Sequence, residues 1–131
     1  SPVLTIAKGV ELANAGSGFL VIKEGVYTES GIQINNSVPI SIVGDGNVVI
    51  DGQASTTSIF VMNGGSANFT NLVFTNNKPK YGGAINAGSN ANINILVDNC
   101  TFANINSTSR GGAIYAATVK GKLKVCVGVV P

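Results

Sequence analysis

The sequence has no histidine and no tryptophan, and only six of its 131 residues are acidic. Histidine is the commonest general base, so its absence removes the usual proton-transfer residue. Glycoside hydrolysis needs two carboxylates across a cleft, but no two acidic residues are adjacent, and Asp45 and Asp51 stand in glycine-rich turns where aspartate is ordinarily structural. A polysaccharide lyase needs a base beside an acidic calcium cluster, and the single arginine, Arg110, has no acid near it in sequence. The sequence therefore predicts a protein that is not an enzyme.

The chain also lacks the features of nucleic-acid, membrane and metal-binding proteins. Its net charge is +2, and the bases are scattered singly, which is too weak a footprint for nucleic acid. No apolar run approaches the ~18 residues of a membrane span. No cysteine and histidine cluster could hold zinc, and Gly44-Asp45-Gly46-Asn47 lacks the spacing of a calcium loop. We predict no metal, no cofactor, no nucleic-acid partner and no membrane span.

A repeat is the dominant feature that is present. The tetrad Gly82-Gly83-Ala84-Ile85 returns as Gly111-Gly112-Ala113-Ile114, 29 positions later, and the block Asn71-Leu72-Val73-Phe74 returns at an offset of 28 as Asn99-Cys100-Thr101-Phe102. Such a period is typical of stacked repeats, and short apolar runs broken by Gly and Asn favour strands. The sequence predicts an all-β fold, a right-handed parallel β-helix (a solenoid) of about four to five coils. A sandwich of hairpins would show similar strand spacing, but would not explain the repeat.

The two ends of the chain differ. Residues 2–15 predict a capping α-helix, since Ile6, Val10 and Ala13 share one face and Gly16 is a suitable stop. Residues 19–131 would form the coils of a single domain, 1–131. Residues 120–131 alternate bases with apolar residues and have no polar cap, so we expect either a fragment or processed part of a longer surface protein, or an end-to-end homo-oligomer through this edge.

Cys100 and Cys126 lie 26 positions apart, close to one period. Two readings stay open for them. Strands of neighbouring coils are close enough for a disulfide, and the alternative is a pair of buried thiols that act as small apolar side chains.

Several polar residues are candidates for contact or structure. Asn71 with Asn99, and Asn76 with Asn104, are at the repeat offset, which predicts amides stacked along the axis. Asn106 heads the most exposed sequon and is the candidate glycosylation site. Loops precede both tetrads and are the candidate partner surface; their proposed contact residues are Lys78, Lys80, Tyr81 and Arg110.

The two tetrads, combined with Phe74-Thr75-Asn76-Asn77, resemble the paired repeats of the chlamydial polymorphic outer membrane proteins, which are surface-displayed adhesins. Phe102-Ala103-Asn104-Ile105 departs from this pattern, with its asparagine one place early. The wider sequence, including Ile42-Val43-Gly44-Asp45-Gly46, is similar to the adhesin-like right-handed β-helix proteins of methanogenic archaea.

This resemblance implies an extracellular, non-catalytic adhesin or cell-envelope protein whose receptor is a host or neighbouring cell surface or a glycan. It also raises the hypothesis that the tetrads themselves take part in adhesion, although tight turning followed by a strand would explain them as architecture alone. The alternatives are a carbohydrate-active β-helix, as a lyase, a glycosidase or a glycan-binding module, and a stalk that binds nothing.

Overall fold

The structure is a computed structural model that describes residues 5–35, 39–80, 83–88, 93–107, 113–116 and 123–126. These residues form one helix, α1 (Ile6–Ala15), and eleven strands. The strands are β1 (Phe19–Thr28), β2 (Ile32–Asn35), β3 (Ile40–Ser55), β4 (Phe60–Gly64), β5 (Ser66–Thr70), β6 (Val73–Asn77), β7 (Ile85–Gly88), β8 (Asn94–Asp98), β9 (Thr101–Ile105), β10 (Ile114–Ala116) and β11 (Leu123–Cys126).

The strands form two sheets in which every described pair is parallel. Sheet A has seven strands, in the order β11-β8-β5-β3-β6-β9, with β1 also paired to β3. The first part of β3 pairs with β5 and its later part with β6, so one long strand joins the two wings of this sheet. Sheet B has four strands, in the order β10-β7-β4-β2. Parallel pairing throughout excludes a sandwich of hairpins, because a hairpin pairs its strands antiparallel.

The predicted fold class, an all-β right-handed parallel β-helix, is wrong. The structure is α/β-like, with one helix and all-parallel sheets of which sheet A curls into a half-barrel, and the described residues show no stacked solenoid of coils. The strand β3 gives the physical reason. The apolar runs 40–43 and 48–50 belong to one strand that continues through the turn-forming sequence Gly44-Asp45-Gly46. Sheet A is therefore one curved surface and not a set of separate coil faces.

The repeat itself corresponds to strand register. Ile114 of β10 pairs with Ile85 of β7, and Phe102 of β9 pairs with Phe74 of β6. The two near-copies are thus parallel neighbours, with equivalent residues side by side. A slip of one residue in the pairing of these strands would move apolar side chains to the wrong face, because side chains alternate along a strand.

The core lies between the two sheets and is built from these ranks of inward side chains. Ile42, Phe69 and Val97 are consecutive neighbours across sheet A, and each is fully buried. Phe74 is also fully buried and stacks on Phe102 with ring centroids 5.0 Å apart. Burial of each such side chain contributes about 1.5–3 kcal/mol to folding, so the ranks are the main source of stability.

Asparagines make the corners of sheet A. Asn71 and Asn99 adopt φ angles of 56° and 52°, a left-handed conformation that asparagine tolerates better than branched residues. Asn71 Nδ2 donates to the Gly44 carbonyl oxygen at 2.8 Å, and Asn99 Nδ2 donates to Asn71 Oδ1 at 3.3 Å. The predicted stack is therefore present for this pair. The turn at Asn71 also separates β5 from β6.

The helix α1 packs against β1 and β2, the first strand of each sheet. It buries Ile6, Val10 and Ala13 and ends at Gly16. The Thr5 hydroxyl caps its first turn by accepting from the Lys8 amide at 3.1 Å. Of the described helical residues, none belongs to a helix that is long and apolar enough to cross a membrane.

Glu29 holds the amino-terminal end of this helix. Its carboxylate oxygens accept hydrogen bonds from the Ile6 amide at 2.7 Å and the Ala7 amide at 3.1 Å. The first amides of a helix have no partner within the helix, and the positive end of the helix dipole favours an anion there. Glu29 therefore fastens α1 to the segment that follows β1.

Candidate functional site

Three segments form a polar corner where the chain passes from sheet A to sheet B. They are residues 55–57, 78–80 and 106–107, which follow β3, β6 and β9, and together they are named the lysine corner. The Lys78 amide donates to the Ser55 carbonyl at 2.9 Å, and the Lys80 amide donates to the Thr56 carbonyl at 3.2 Å. The Asn106 amide donates to the Asn77 carbonyl at 2.8 Å. These bonds stack the segments in the same order as the strands that precede them.

The buried side chain of Asn77 holds residues 55–57, the first segment of the lysine corner. Asn77 is fully buried, and its Nδ2 donates to the Ser55 carbonyl at 3.0 Å and to the Thr57 carbonyl at 2.9 Å. Phe74 and Asn77 are three residues apart and would point to opposite faces of a regular strand. Asn76 has a φ of 56° between them, and this turn lets both side chains face inward. The Phe-x-x-Asn motif thus places one aromatic ring and one backbone clamp in the interior.

The clamp is not repeated at the equivalent position of β9. Ile105 is in register with Asn77, and an isoleucine side chain cannot donate a hydrogen bond. Asn104 is the residue one place earlier, and it shares the φ of 56° found at Asn76. The departure noted in the sequence motif is therefore a real difference, since the second copy keeps the turn and lacks the clamp.

The exposed side chains of the corner are cationic, hydroxylic or amidic. Lys78, Lys80, Thr56, Thr57 and Asn106 are all exposed. Ammonium, hydroxyl and amide groups all donate hydrogen bonds. Such a set suits a ligand that presents carboxylate, sulfate or hydroxyl oxygens. Asn106 is accessible, as a glycosylation acceptor must be, and its modification stays a prediction.

Other predicted site residues fall elsewhere. Tyr81, Arg110, Gly82, Gly111 and Gly112 lie outside the described residues.

In the first tetrad Gly83, Ala84 and Ile85 are buried, and the Phe60 amide donates to the Ala84 carbonyl at 2.8 Å. In the second tetrad Ala113 and Ile114 are partly buried, and the Ala113 carbonyl accepts from the Ile85 amide at 3.3 Å. The described part of the first tetrad therefore joins strands of sheet B from the interior. An adhesive role of the tetrads stays a prediction.

Cys100 is a free and buried thiol, so the disulfide reading is wrong. The strand register explains this. Cys126 is paired with Asp98, two residues before Cys100, because the spacing between these strands is 28 and the cysteines are 26 apart. Burial raises the pKa of the Cys100 thiol, and its Sγ lies 3.5 Å from the Phe69 carbonyl oxygen. The residue acts as a small apolar side chain, as the second reading held.

Three of the six acidic side chains accept hydrogen bonds from backbone amides within the fold. Glu29 caps α1, the Glu24 carboxylate accepts from the Asn47 amide at 3.0 Å, and Asp51 Oδ1 accepts from the Gln53 amide at 2.7 Å. No group of three or more His, Cys, Asp or Glu side chains that could hold a metal ion occurs in the part of the chain that the structure describes. No protein-family model, curated protein or solved structure matches this chain. The lysine corner is the candidate contact surface on its own geometry.

Proposed function

We propose that this protein is a non-catalytic, extracellular, adhesin-like surface protein that contacts anionic sugars of a cell envelope or neighbouring cell through the lysine corner. One observation carries the proposal: two exposed lysines stand on a backbone that is already fixed. The Lys78 and Lys80 amides are bonded to residues 55 and 56, and Asn77 clamps the same segment from inside. A fixed backbone reduces the ordering cost of binding.

The charge distribution supports an anionic ligand. Glu24, Glu29 and Asp51 each accept hydrogen bonds within the fold, whereas the corner carries cations at its exposed positions. These three carboxylates thus stabilise turns and a helix end. The resemblance of the repeats to surface-displayed adhesins also supports the proposal.

Binding to immobilised polysaccharides tests the proposal. Polygalacturonate and heparin are the anionic probes, and dextran is the neutral control. We expect binding to both anionic probes that weakens as salt is raised from about 50 to 300 mM, as ion pairs do. A Lys78→Ala and Lys80→Ala double variant should bind about tenfold more weakly, since two exposed ion pairs of about 0.7 kcal/mol each together amount to about 1.4 kcal/mol.

The matched control removes two positive charges elsewhere. A Lys8→Ala and Lys23→Ala double variant has the same net charge as the corner variant, and its affinity for the anionic probes should change by less than about twofold. Equal losses in the two double variants would show diffuse attraction and contradict a specific corner. Release of oligosaccharides from any probe would contradict a non-catalytic role and favour the carbohydrate-active alternative.

Association of this protein with itself stays a prediction. Phe102 and Ile105 of β9 and Ile114 of β10 are only partly buried. Their neighbours on the preceding strands, Phe74 of β6 and Ile85 of β7, are fully buried. A second copy that stacked on this edge would cover them. Sedimentation equilibrium across a hundredfold range of protein concentration should show a mass that increases with concentration, and a constant monomer mass would contradict the end-to-end assembly.

A further inference from the structure

Exposed apolar side chains are concentrated at the amino-terminal end of the described fold. The large apolar residues that are most exposed are Leu12 (50%), Phe19 (56%), Val21 (49%) and Val26 (68%), and all four belong to α1 or β1. Among the described strands, β1 pairs only with β3. One edge of this ten-residue strand therefore has no partner strand among the described residues, and the exposed side chains of β1 include the apolar Phe19, Val21 and Val26.

The hydrogen bonds show which backbone groups face the open edge. The Gly18 carbonyl accepts from the Ser41 amide at 2.8 Å, so Gly18 faces β3. Successive residues of a strand in a parallel sheet direct their backbone groups to opposite neighbours. Leu20 and Ile22 therefore also face β3, and the amides of Phe19, Val21 and Lys23 face the open edge. The Tyr27 hydroxyl donates to the Lys23 carbonyl at 2.7 Å, in agreement with this alternation.

A groove lies beside the same edge. It has a volume of about 310 Å³, and its lining includes Ile6 of α1 with Leu20, Ile22, Lys23 and Tyr27 of β1. Leu20 heads a rank of inward side chains that continues through Ile42 and Phe69. A strand added at β1 would extend this rank and place every second side chain into the groove. The groove therefore suits an extended segment with apolar residues at alternate positions.

The charge beside the groove indicates which kind of peptide it would bind. Lys23 is exposed and has no ion pair within the described part of the chain. Its neighbour Glu24 is bonded to the Asn47 amide, and Glu29 is bonded to the end of α1. Asp45, the register partner of Lys23 on β3, makes no ion pair with it, so the Lys23 ammonium can bind a carboxylate on the open side of β1.

We propose that the open edge of β1 and its adjoining groove bind an extended peptide segment, which adds to sheet A as a further strand. The segment has apolar side chains at alternate positions and an acidic residue opposite Lys23. Main-chain hydrogen bonds would provide affinity, and the groove and Lys23 would provide selectivity, as in other cases of strand addition. This surface is formed by different residues from the lysine corner and does not depend on sugar binding.

A charge exchange between protein and peptide tests the proposal. The probe is a blocked nonapeptide that alternates valine with threonine and has aspartate at its centre, and the matched peptide has lysine in that place. Fluorescence anisotropy should show that the wild-type protein prefers the aspartate peptide. The Lys23→Glu variant should weaken that peptide about two- to fivefold and strengthen the lysine peptide by a similar factor, the scale of an exposed ion pair. Parallel changes for both peptides would overturn the assignment.

Amide hydrogen exchange locates the bound strand. Saturating aspartate peptide should slow exchange of the Phe19 and Val21 amides at least tenfold, because these amides face the open edge. The Leu20 and Ile22 amides should change little, since they already face β3. Absence of protection at Phe19 and Val21 would overturn the proposal. Protection of these amides without peptide, increasing with protein concentration, would instead assign the edge to a second copy of the chain.

Discussion

The side chain of Asn77 provides the sharpest test of how the lysine corner is held. In Asn77→Ala, the carbonyls of Ser55 and Thr57 lose their hydrogen bonds from Nδ2. The Thr57 carbonyl loses this partner at a cost of about 1–3 kcal/mol, whereas the Ser55 carbonyl keeps its bond from the Lys78 amide and loses only a second bond, worth about 1 kcal/mol. Asn77 Oδ1 is itself buried without a partner among the described residues, so its removal returns about 1 kcal/mol. The net loss in the free energy of unfolding should be about 2 kcal/mol.

This loss can be measured by thermal and urea unfolding. The unfolding entropy of a chain of this length is ~0.28 kcal/mol/K, from about 2.1 cal/mol/K per residue, so Tm should fall by about 7 °C. The control is Asn106→Ala, which removes the same side chain from an exposed position and should change stability by less than about 0.5 kcal/mol. Equal effects of the two substitutions would refute the clamp, because a surface asparagine would then matter as much as the buried one.

Three further predictions concern the helix end, a tight corner and the buried thiol. Glu29→Gln should reduce stability by about 1 kcal/mol, because the helix end loses its anion, and amide exchange in α1 should be faster; unchanged exchange would contradict the role of Glu29. Gly44→Ala should cost about 3 kcal/mol in urea unfolding, since a Cβ at this position would clash with the Asn71 carbonyl oxygen; an unchanged midpoint would contradict this close contact. Burial raises the pKa of the Cys100 thiol, so the folded chain keeps this proton to higher pH than the unfolded chain; stability should be constant below about pH 8.5 and decline above it. The same alkaline decline in Cys100→Ala would show that another group causes it.

The sequence predicted the helix and the pairing of the repeat copies, because both depend on local periodicity. Ile6, Val10 and Ala13 share the buried face of α1 as their spacing indicates, and Ile85 pairs with Ile114 as the repeat indicates. The fold class could not be predicted in the same way. Glycine at position 44 signals a turn, but whether a strand ends or bends there depends on its neighbours, and β1 continues to pair with β3 beyond it.

The candidate site was predictable only in part, for a related reason. The exposure of Lys78 and Lys80 follows from their place in a polar loop between apolar strands. The clamp by Asn77 could not be inferred, because its two acceptors lie 20 and 22 positions earlier in the chain. The only signal was the Phe-x-x-Asn motif, which does not say whether the asparagine is buried. Register between strands decides that, and it also separates Cys100 from Cys126.

The clamp that Asn77 forms also has a consequence for binding at the lysine corner. Residues 55–57 are joined to the segment 77–80 twice, by the backbone bonds from residues 78 and 80 and by the Asn77 side chain. The segment that begins at Asn106 is joined to Asn77 by a backbone hydrogen bond. The residue before it, Ile105, has no side-chain amide and therefore cannot form a clamp like that of Asn77. Because a fixed backbone lowers the ordering cost of binding, the affinity for an anionic sugar should depend more on Lys78 and Lys80 than on residues that follow Asn106. Asn77→Ala should then weaken binding of polygalacturonate even at temperatures where the variant is fully folded, whereas Asn106→Ala should not. Equal affinities of these two variants would mean that the clamp stabilises the fold without shaping the contact surface.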